Sequence, residues 1–356
     1  MKKFIFFMLA AVMLFSLAAC DPKTQNASSA PEPDGSSAAG AEASEAAGEE
    51  TGAPQEKTDI RVAGLKGPTS IGMVKLMQDA EDGRTANNYQ FTVAGSADEV
   101  TPKLIKGEFD IAAIPANLAA VLYNNTEGEI RIIAVNTLGV LYIVDKGGEV
   151  SKLEDLKGKT IYATGKGSTP EYTLRHILAE NGIDPDKDVT IDFKSEPSEV
   201  VPLLKKADKA VAMLPQPYVT VASANVEGLK TVIDLNAEWA KIESDTGIIT
   251  GVTVVRKAFA DEHPEAVKAF LKECGDSVGY VNANVDAAAE LVEKYGIVAA
   301  AVAKKAIPQC NVTFVCDADM LNPLNVYFGV LYEANAKSVG GKLPDENICL
   351  VYAENE

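Results

Sequence analysis

Ala63-Gly64-Leu65-Lys66-Gly67-Pro68-Thr69 and Ala163-Thr164-Gly165-Lys166-Gly167-Ser168-Thr169 stand one hundred residues apart and carry Ala, Lys, Gly and Thr at matching places. The match runs without gaps over 63–115 and 163–215. Glu99, Val100, Pro102, Leu104 and Lys106 fall over Glu199, Val200, Pro202, Leu204 and Lys206, and Ala112 and Pro115 over Ala212 and Pro215. These are 11 identities in 53 positions, gathered at three places. Each copy reads in one order. A strand (60–63 or 160–163) leads through a Gly-containing turn into a helix, then a second strand (89–93 or 189–193). A second helix and a third strand (110–114 or 210–214) follow, closed by Pro115 or Pro215. Ser168 with Glu171, and Ser96 with Glu99, have the spacing of capping boxes. Leu174, Ile177 and Leu178 recur at helical spacing. β-α-β-α-β alternation predicts an α/β protein with parallel sheets flanked by helices. Two such units in one chain predict two lobes with a cleft between them.

In open α/β sheets, ligands sit beyond the carboxyl ends of the strands, which is where the repeat is best kept. The candidate ligand contacts are therefore the turns after first and third strands. They are Lys66, Gly67, Thr69, Ser70, Gly167, Ser168 and Thr169 on one side. Ala116, Asn117, Gln216 and Tyr218 follow the third strands, and Asn136 is a further candidate after the strand 130–135. Free N–H groups at a helix start attract anions; Asn and Gln donate and accept; Tyr218 offers an apolar face with a polar tip. Arg61 falls within a strand and Arg175 two turns into a helix, so no bidentate arginine is expected in the cleft.

The first sixty residues read differently. Lys2 and Lys3 precede an apolar run from Phe4 to Phe15, too short to span a bilayer and suited to a signal sequence. The run ends in Leu17-Ala18-Ala19-Cys20, which resembles the lipobox of bacterial lipoproteins and implies lipidation at Cys20. Residues 21–58 contain no Val, Ile, Leu, Met, Phe, Trp or Tyr, and hold 8 acids and 2 bases. Such a stretch cannot repay the entropy of ordering and is expected to be a disordered tether. The whole chain of 356 residues carries a formal charge of −18, which argues against a nucleic-acid partner. Only His176 and His263 are present, so histidine-rich metal sites and Ser-His-Asp chemistry are disfavoured. The residues call for no metal and no cofactor. Cys274, Cys310, Cys316 and Cys349 allow disulfides or buried thiols, and the spacing does not choose.

Taken together, the lipobox, the Asp110-Ile111-Ala112-Ala113-Ile114-Pro115 run, Gly165-Lys166-Gly167-Ser168-Thr169, Leu214-Pro215-Gln216-Pro217-Tyr218 and His263-Pro264-Glu265-Ala266-Val267 resemble the solute-binding lipoproteins of bacterial ABC importers. More narrowly they are similar to the nitrate/sulfonate/taurine and thiamine-precursor branch of the type II periplasmic-binding-protein fold. The resemblance implies lobe one at 59–143 plus 246–356, lobe two at 147–236, and crossings near 142–148 and 234–250. It implies a monomeric, non-enzymatic receptor, lipid-anchored on the extracytoplasmic face of the cell membrane. Such a receptor delivers a small solute to a permease and its ATPase. A small sulfonate-, nitrate- or taurine-like anion is favoured, with a flat pyrimidine or other heterocycle as the alternative. A sensor for a signalling partner, or a pyrimidine-synthesising enzyme on the same fold, are the readings of another class.

Overall fold

The strands of the two repeat copies build two separate sheets. The computed structural model describes residues 57–352. The signal segment 1–20 with Cys20, and the tether as far as residue 56, lie outside the described residues. Eleven strands are described: β1 (Asp59–Leu65), β2 (Asn88–Ala94), β3 (Ile111–Pro115), β4 (Ile130–Leu138), β5 (Leu141–Lys146), β6 (Thr160–Thr164), β7 (Thr190–Lys194), β8 (Ala210–Pro215), β9 (Leu229–Asp234), β10 (Ile249–Arg256) and β11 (Val312–Cys316). The first sheet has the order β11-β4-β10-β3-β1-β2 and the second β7-β6-β8-β5-β9. In each sheet the first repeat strand lies between the other two and is parallel to both. Each third strand is flanked on its other side by an antiparallel strand from outside the repeat, β10 against β3 and β5 against β8. The parallel cores with an antiparallel partner make both sheets mixed, with helices on their faces. The architecture is the two-lobed α/β arrangement that the alternation predicts, and that the resemblance implies as a periplasmic-binding-protein fold.

Thirteen α-helices are described. Those of the first lobe begin with α1 (Pro68–Ile71), α2 (Val74–Glu81), α3 (Thr101–Ile105) and α4 (Ala116–Asn125). The second lobe carries α5 (Thr169–Glu180), α6 (Pro197–Lys206) and α7 (Tyr218–Asn225), followed by α8 (Leu235–Ile242). The chain then adds α9 (Lys257–Glu262), α10 (Pro264–Ala283), α11 (Val285–Lys294), α12 (Ala300–Ala306) and α13 (Leu321–Ala334). None of the helices among the described residues is long and apolar enough to cross a membrane.

Strand patterning explains why the first sheet is covered on both faces. On β3, Ile111 and Ala113 enter one apolar cluster with α2 and α10, whereas Ala112 and Ile114 enter another with α4 and α13. A strand buried on both faces reads as a continuous apolar run, as Ile-Ala-Ala-Ile does. The second of these clusters continues into the second lobe through Leu141, Ile161, Leu174 and Met213. Removing a buried isoleucine from such a strand costs about 2–5 kcal/mol when it is cut to alanine.

The first crossing between sheets differs from the expected 142–148. Sheet membership changes at Gly139-Val140, because Tyr142 to Lys146 is part of β5, with Tyr142 paired to Leu214 and to Asp234. Leu141, Ile143 and Val144 are fully buried, and that burial holds the segment in the sheet. Gly147 and Gly148 serve instead as the turn after β5, at φ 119° and 72°, where only glycine is unstrained. The second crossing runs from Asp234 through α8 to Ile249. Trp239 of α8 is wholly buried there; its Nε1 donates to Thr246 O (2.9 Å), and its ring lies 5.6 Å from Tyr327 of α13. His176 is buried against Trp239 and 2.8 Å from Glu243 Oε1.

At the other end of the first sheet Asp110 is nearly inaccessible and takes bonds from Arg61 Nε (2.9 Å), Arg61 Nη2 (2.7 Å) and Arg256 Nη2 (2.7 Å). Burial pushes its pKa up, but the hydrogen bonds of the two arginines outweigh that and hold the carboxyl below its usual value. The residue at the same repeat position in the second lobe is Ala210. The four described cysteines are free thiols, all in the first lobe. Burial pushes each of them up to about 12, so they are protonated and unreactive at neutral pH.

Candidate functional site

The turns singled out by the repeat meet across the gap between the lobes. Asn117 opens α4 in the first lobe and is fully buried. Its Nδ2 donates to Gly167 O (3.3 Å) in the second lobe and to Ser338 O (3.0 Å) in the first. Thr169 Oγ1, the first residue of α5, donates back to Asn117 Oδ1 (3.2 Å). Gln216, after β8, donates from Nε2 to Gln309 Oε1 (2.9 Å) of the first lobe and accepts from Thr220 Oγ1 (2.9 Å). Buried amides must find partners or cost about 1–3 kcal/mol each, and these find them in the opposite lobe. The Asn117 and Gln216 side chains therefore hold the gap closed.

The remaining predicted residues divide. Gly67 caps α1, which is a single turn, and its carbonyl accepts from Ser70 N and Ile71 N. Ser70 is buried with its Oγ unpartnered and turned toward Gly64. The Thr69 methyl and the Asn136 carboxamide both press on Gly251, where a Cβ would lie 2.8 Å from Thr69 Cγ2 and 2.6 Å from Asn136 Oδ1. Asn136 belongs to β4 itself, with Nδ2 donating to Thr253 Oγ1 (3.0 Å). Ala116 is buried at the start of α4.

The second-lobe turn does not carry the expected capping box. Ser168 Oγ donates to Gly165 O (2.8 Å), and Glu171 reaches past it to accept from Gly167 N (2.6 Å). Glu171 also pairs with Arg175 Nε (2.8 Å). The anion position at the start of α5 is therefore filled by the chain's own carboxylate. In the first lobe the Ser96 and Glu99 box does form, with Glu99 Oε1 accepting from Ser96 N (3.1 Å) and Gly95 N (3.1 Å).

A cavity of about 380 Å³ lies between the lobes at the mouth of this gap. The first lobe lines it with Lys66 and the 296–299 segment; the second lobe adds Glu196, Ser198, Tyr218 and Asn225. Lys66 is exposed on a turn fixed by its own N–H, which donates to Ala94 O (2.9 Å). Tyr218 is buried, and its phenol is pushed up first by burial and then by the charge of Glu196. Lys66 and Tyr218 were predicted as ligand contacts; Glu196 was not. Glu196 stands where the repeat places Ser96, at the carboxyl end of a second strand, and that position was the available signal. The 296–299 segment lies beyond the repeat, and no sequence pattern marked it. Among the described residues no group of three His, Cys, Asp or Glu side chains is placed to hold a metal ion.

Comparison with known proteins adds the following. The profile of the NMT1-like family matches residues 68–295. The chain is 33% identical over 137 residues to the taurine-binding periplasmic protein of Escherichia coli (strain K12), a match that covers 38% of this chain and 40% of that relative. In structure it resembles an ABC transporter protein from Parabacteroides distasonis, with TM-score 0.69 and 22% identity over 84% of this chain and 100% of the other. It also resembles the aliphatic sulphonate binding protein SsuA of Escherichia coli, with TM-score 0.66 and 15% identity over 85% of this chain and 96% of the other. The alkanesulfonate-binding protein SsuA from Xanthomonas axonopodis pv. citri, bound to MOPS, gives TM-score 0.65 at 13% identity, over 82% of this chain and 96% of the other.

Proposed function

The chain belongs to the NMT1-like family, and from that premise we propose that it is the extracytoplasmic solute-binding component of an ABC import system. It captures a small sulfonate-, nitrate- or taurine-like anion between its lobes by hinged closure and passes it to a permease with its ATPase. Cys20 is the lipid attachment point, and residues 21–58 tether a monomeric receptor to the outer face of the membrane. No catalytic step belongs to this reading.

The observation that carries the proposal is the inter-lobe cavity, with Lys66 on one wall and Tyr218 on the other, beside bonds that join Asn117 to Gly167 and Gln216 to Gln309. Closure of two lobes around a site is a familiar hinge motion, and the bonds across the gap are made only when the lobes meet. The named binding proteins that the chain resembles support the ligand class. Tyr218 favours one second reading, a flat heterocycle stacked on its ring.

A thermal-shift screen separates them. A solute that binds the folded chain raises the melting temperature by mass action, about 2.7 kcal/mol at a hundredfold excess over Kd. Small sulfonates and nitrate are expected to stabilise the chain; a shift with pyrimidines alone would replace the anion by the heterocycle. No shift with either class would contradict the receptor reading for these solutes.

A further inference from the structure

We propose that the lobes turn about one residue of the first crossing, Val140, and that Asn311 is the positioning residue that confines the motion to it. The inference rests on the receptor reading above and supplies the joint on which its closure runs.

The peptide groups on either side of Val140 are held by different lobes. On the first-lobe side, Leu138 N donates to Asn311 O (3.1 Å), and Asn311 Nδ2 donates to Gly139 O. Asn311 leads directly into β11, where Val312 pairs with Thr137 of β4. On the second-lobe side, Gln216 N donates to Val140 O (3.0 Å), and Leu141 pairs with Pro215 of β8. A peptide group is planar, so a bond to its carbonyl orients the whole group. The group between Gly139 and Val140 therefore moves with the first lobe, and the group between Val140 and Leu141 with the second. Only the two backbone dihedrals of Val140 lie between them.

The second crossing passes the same point. Asn236, near the start of α8, lies against Gly139, where a Cβ would be 2.2 Å from Asn236 Oδ1 and 3.0 Å from Asn236 Cβ. Gly139 is outside the left-handed region, so its missing side chain provides room for the second crossing rather than an unusual backbone angle. Asn311 does take such an angle, φ 42°, which asparagine tolerates better than most residues. Gln216 also reaches Gln309, two residues before Asn311, through the side-chain bond across the gap (2.9 Å). The latch and the joint thus share the segment 309–311, and a turn at Val140 must break or reorient the Gln216 bond.

The test is the distribution of distances between spin labels on cysteines introduced at Lys103 of α3 and Lys205 of α6, one in each lobe, in the full chain without solute. Asn311→Gly keeps the backbone angle and removes the side-chain bond. Val140→Gly enlarges the range of the joint itself. Each is expected to widen the distribution roughly twofold, because glycine and a freed peptide group reach backbone angles that valine and a held one do not. Gly148→Ala, in the turn after β5, should leave the width unchanged, although its φ of 72° makes alanine lower the melting temperature. Melting temperatures show that each variant folds. A wild-type width for Val140→Gly would overturn the joint, and so would a wider distribution for Gly148→Ala. A wild-type width for Asn311→Gly would overturn the role given to Asn311. If the glycine variants widen the distribution but taurine and nitrate leave the wild-type one unchanged, the receptor reading fails for those solutes and the joint stands.

Discussion

In the second lobe the Lys166-Gly167 turn is closed by its own chain, because Glu171 accepts from Gly167 N and is held by Arg175. In the first lobe Ile71 occupies the same repeat position, so the Lys66-Gly67 turn has no acid of its own helix to close it. Lys66 faces the cavity between the lobes; Lys166 does not line it. Two turns at matching repeat positions thus differ in what they leave open to the cavity. The first lobe lines the cavity with Lys66, and the second lobe contributes Tyr218 and the Glu196 carboxylate. The lesson is that a repeat locates both turns but does not make them equivalent: Glu171 closes the second turn, and Ile71 stands at the same repeat position in the first.

The lobes also differ in how their sheets are anchored, and this gives the largest expected effect. Asp110→Ala strips the partner from Arg61 and Arg256 at a nearly inaccessible position. Because both arginines are partly exposed, the cost is about 2–3 kcal/mol, below the range for a fully buried pair. Calorimetry should show this as a melting temperature lower by roughly 5–10 °C. Ala210, at the equivalent place in the second lobe, has no charge to lose. A wild-type melting temperature for Asp110→Ala would break this contrast. The same pair sets an acid limit. The native carboxyl titrates below the unfolded one, which titrates at roughly 3.9. Its stabilisation is complete above that value and is lost as pH falls through the native one. Asp110→Asn should flatten the acid limb of the stability profile, and an unchanged limb would assign it elsewhere.

Asn117→Ala comes next. It removes bonds to Gly167 and Thr169 in the opposite lobe and leaves buried groups unpaired, at a cost of about 1–3 kcal/mol. Its distinctive sign is a larger opened population, visible as faster hydrogen exchange in α5 than in α2. Equal exchange in the two helices would deny Asn117 a role across the gap. The smallest effect belongs to Glu171→Ala, which frees Gly167 N and costs about 1 kcal/mol, as loss of a helix cap does. Urea unfolding midpoints measure it. Glu171→Gln, which keeps an acceptor, should recover more than half. If the glutamine variant is as weak as the alanine one, the carboxylate acts through Arg175 rather than through the turn.

Much of the fold was readable because it rests on local patterns. Val62 and Ala63, or Ile111 and Ala112, face opposite sides of a covered strand, and the copies at 63–115 and 163–215 repeat that alternation. The first crossing was misplaced because Gly147-Gly148 looks like a hinge in sequence, while the burial of Leu141, Ile143 and Val144 that makes β5 a strand depends on its neighbours β8 and β9. At the candidate site, strand-end residues such as Asn117, Thr169 and Gln216 were readable. Their partners were not, since Ser338 and Gln309 approach from 221 and 93 residues away in the chain. Glu196 went unread for a simpler reason: it sits at an edge strand where the two copies have different residues, Ser96 and Glu196, so identity between copies did not mark it.

The central claim is that the two lobes come together on a solute. Spin labels on cysteines introduced at Lys103 of α3 and Lys205 of α6, both exposed, report the width of the gap on either side of the cavity. The four native thiols described here are weak competitors for the label, since burial keeps them protonated. Adding a solute that raises the melting temperature should shift the label distances to a single, shorter population. A distance distribution that stays the same at saturating solute would contradict closure and, with it, the account of this protein as a hinged receptor.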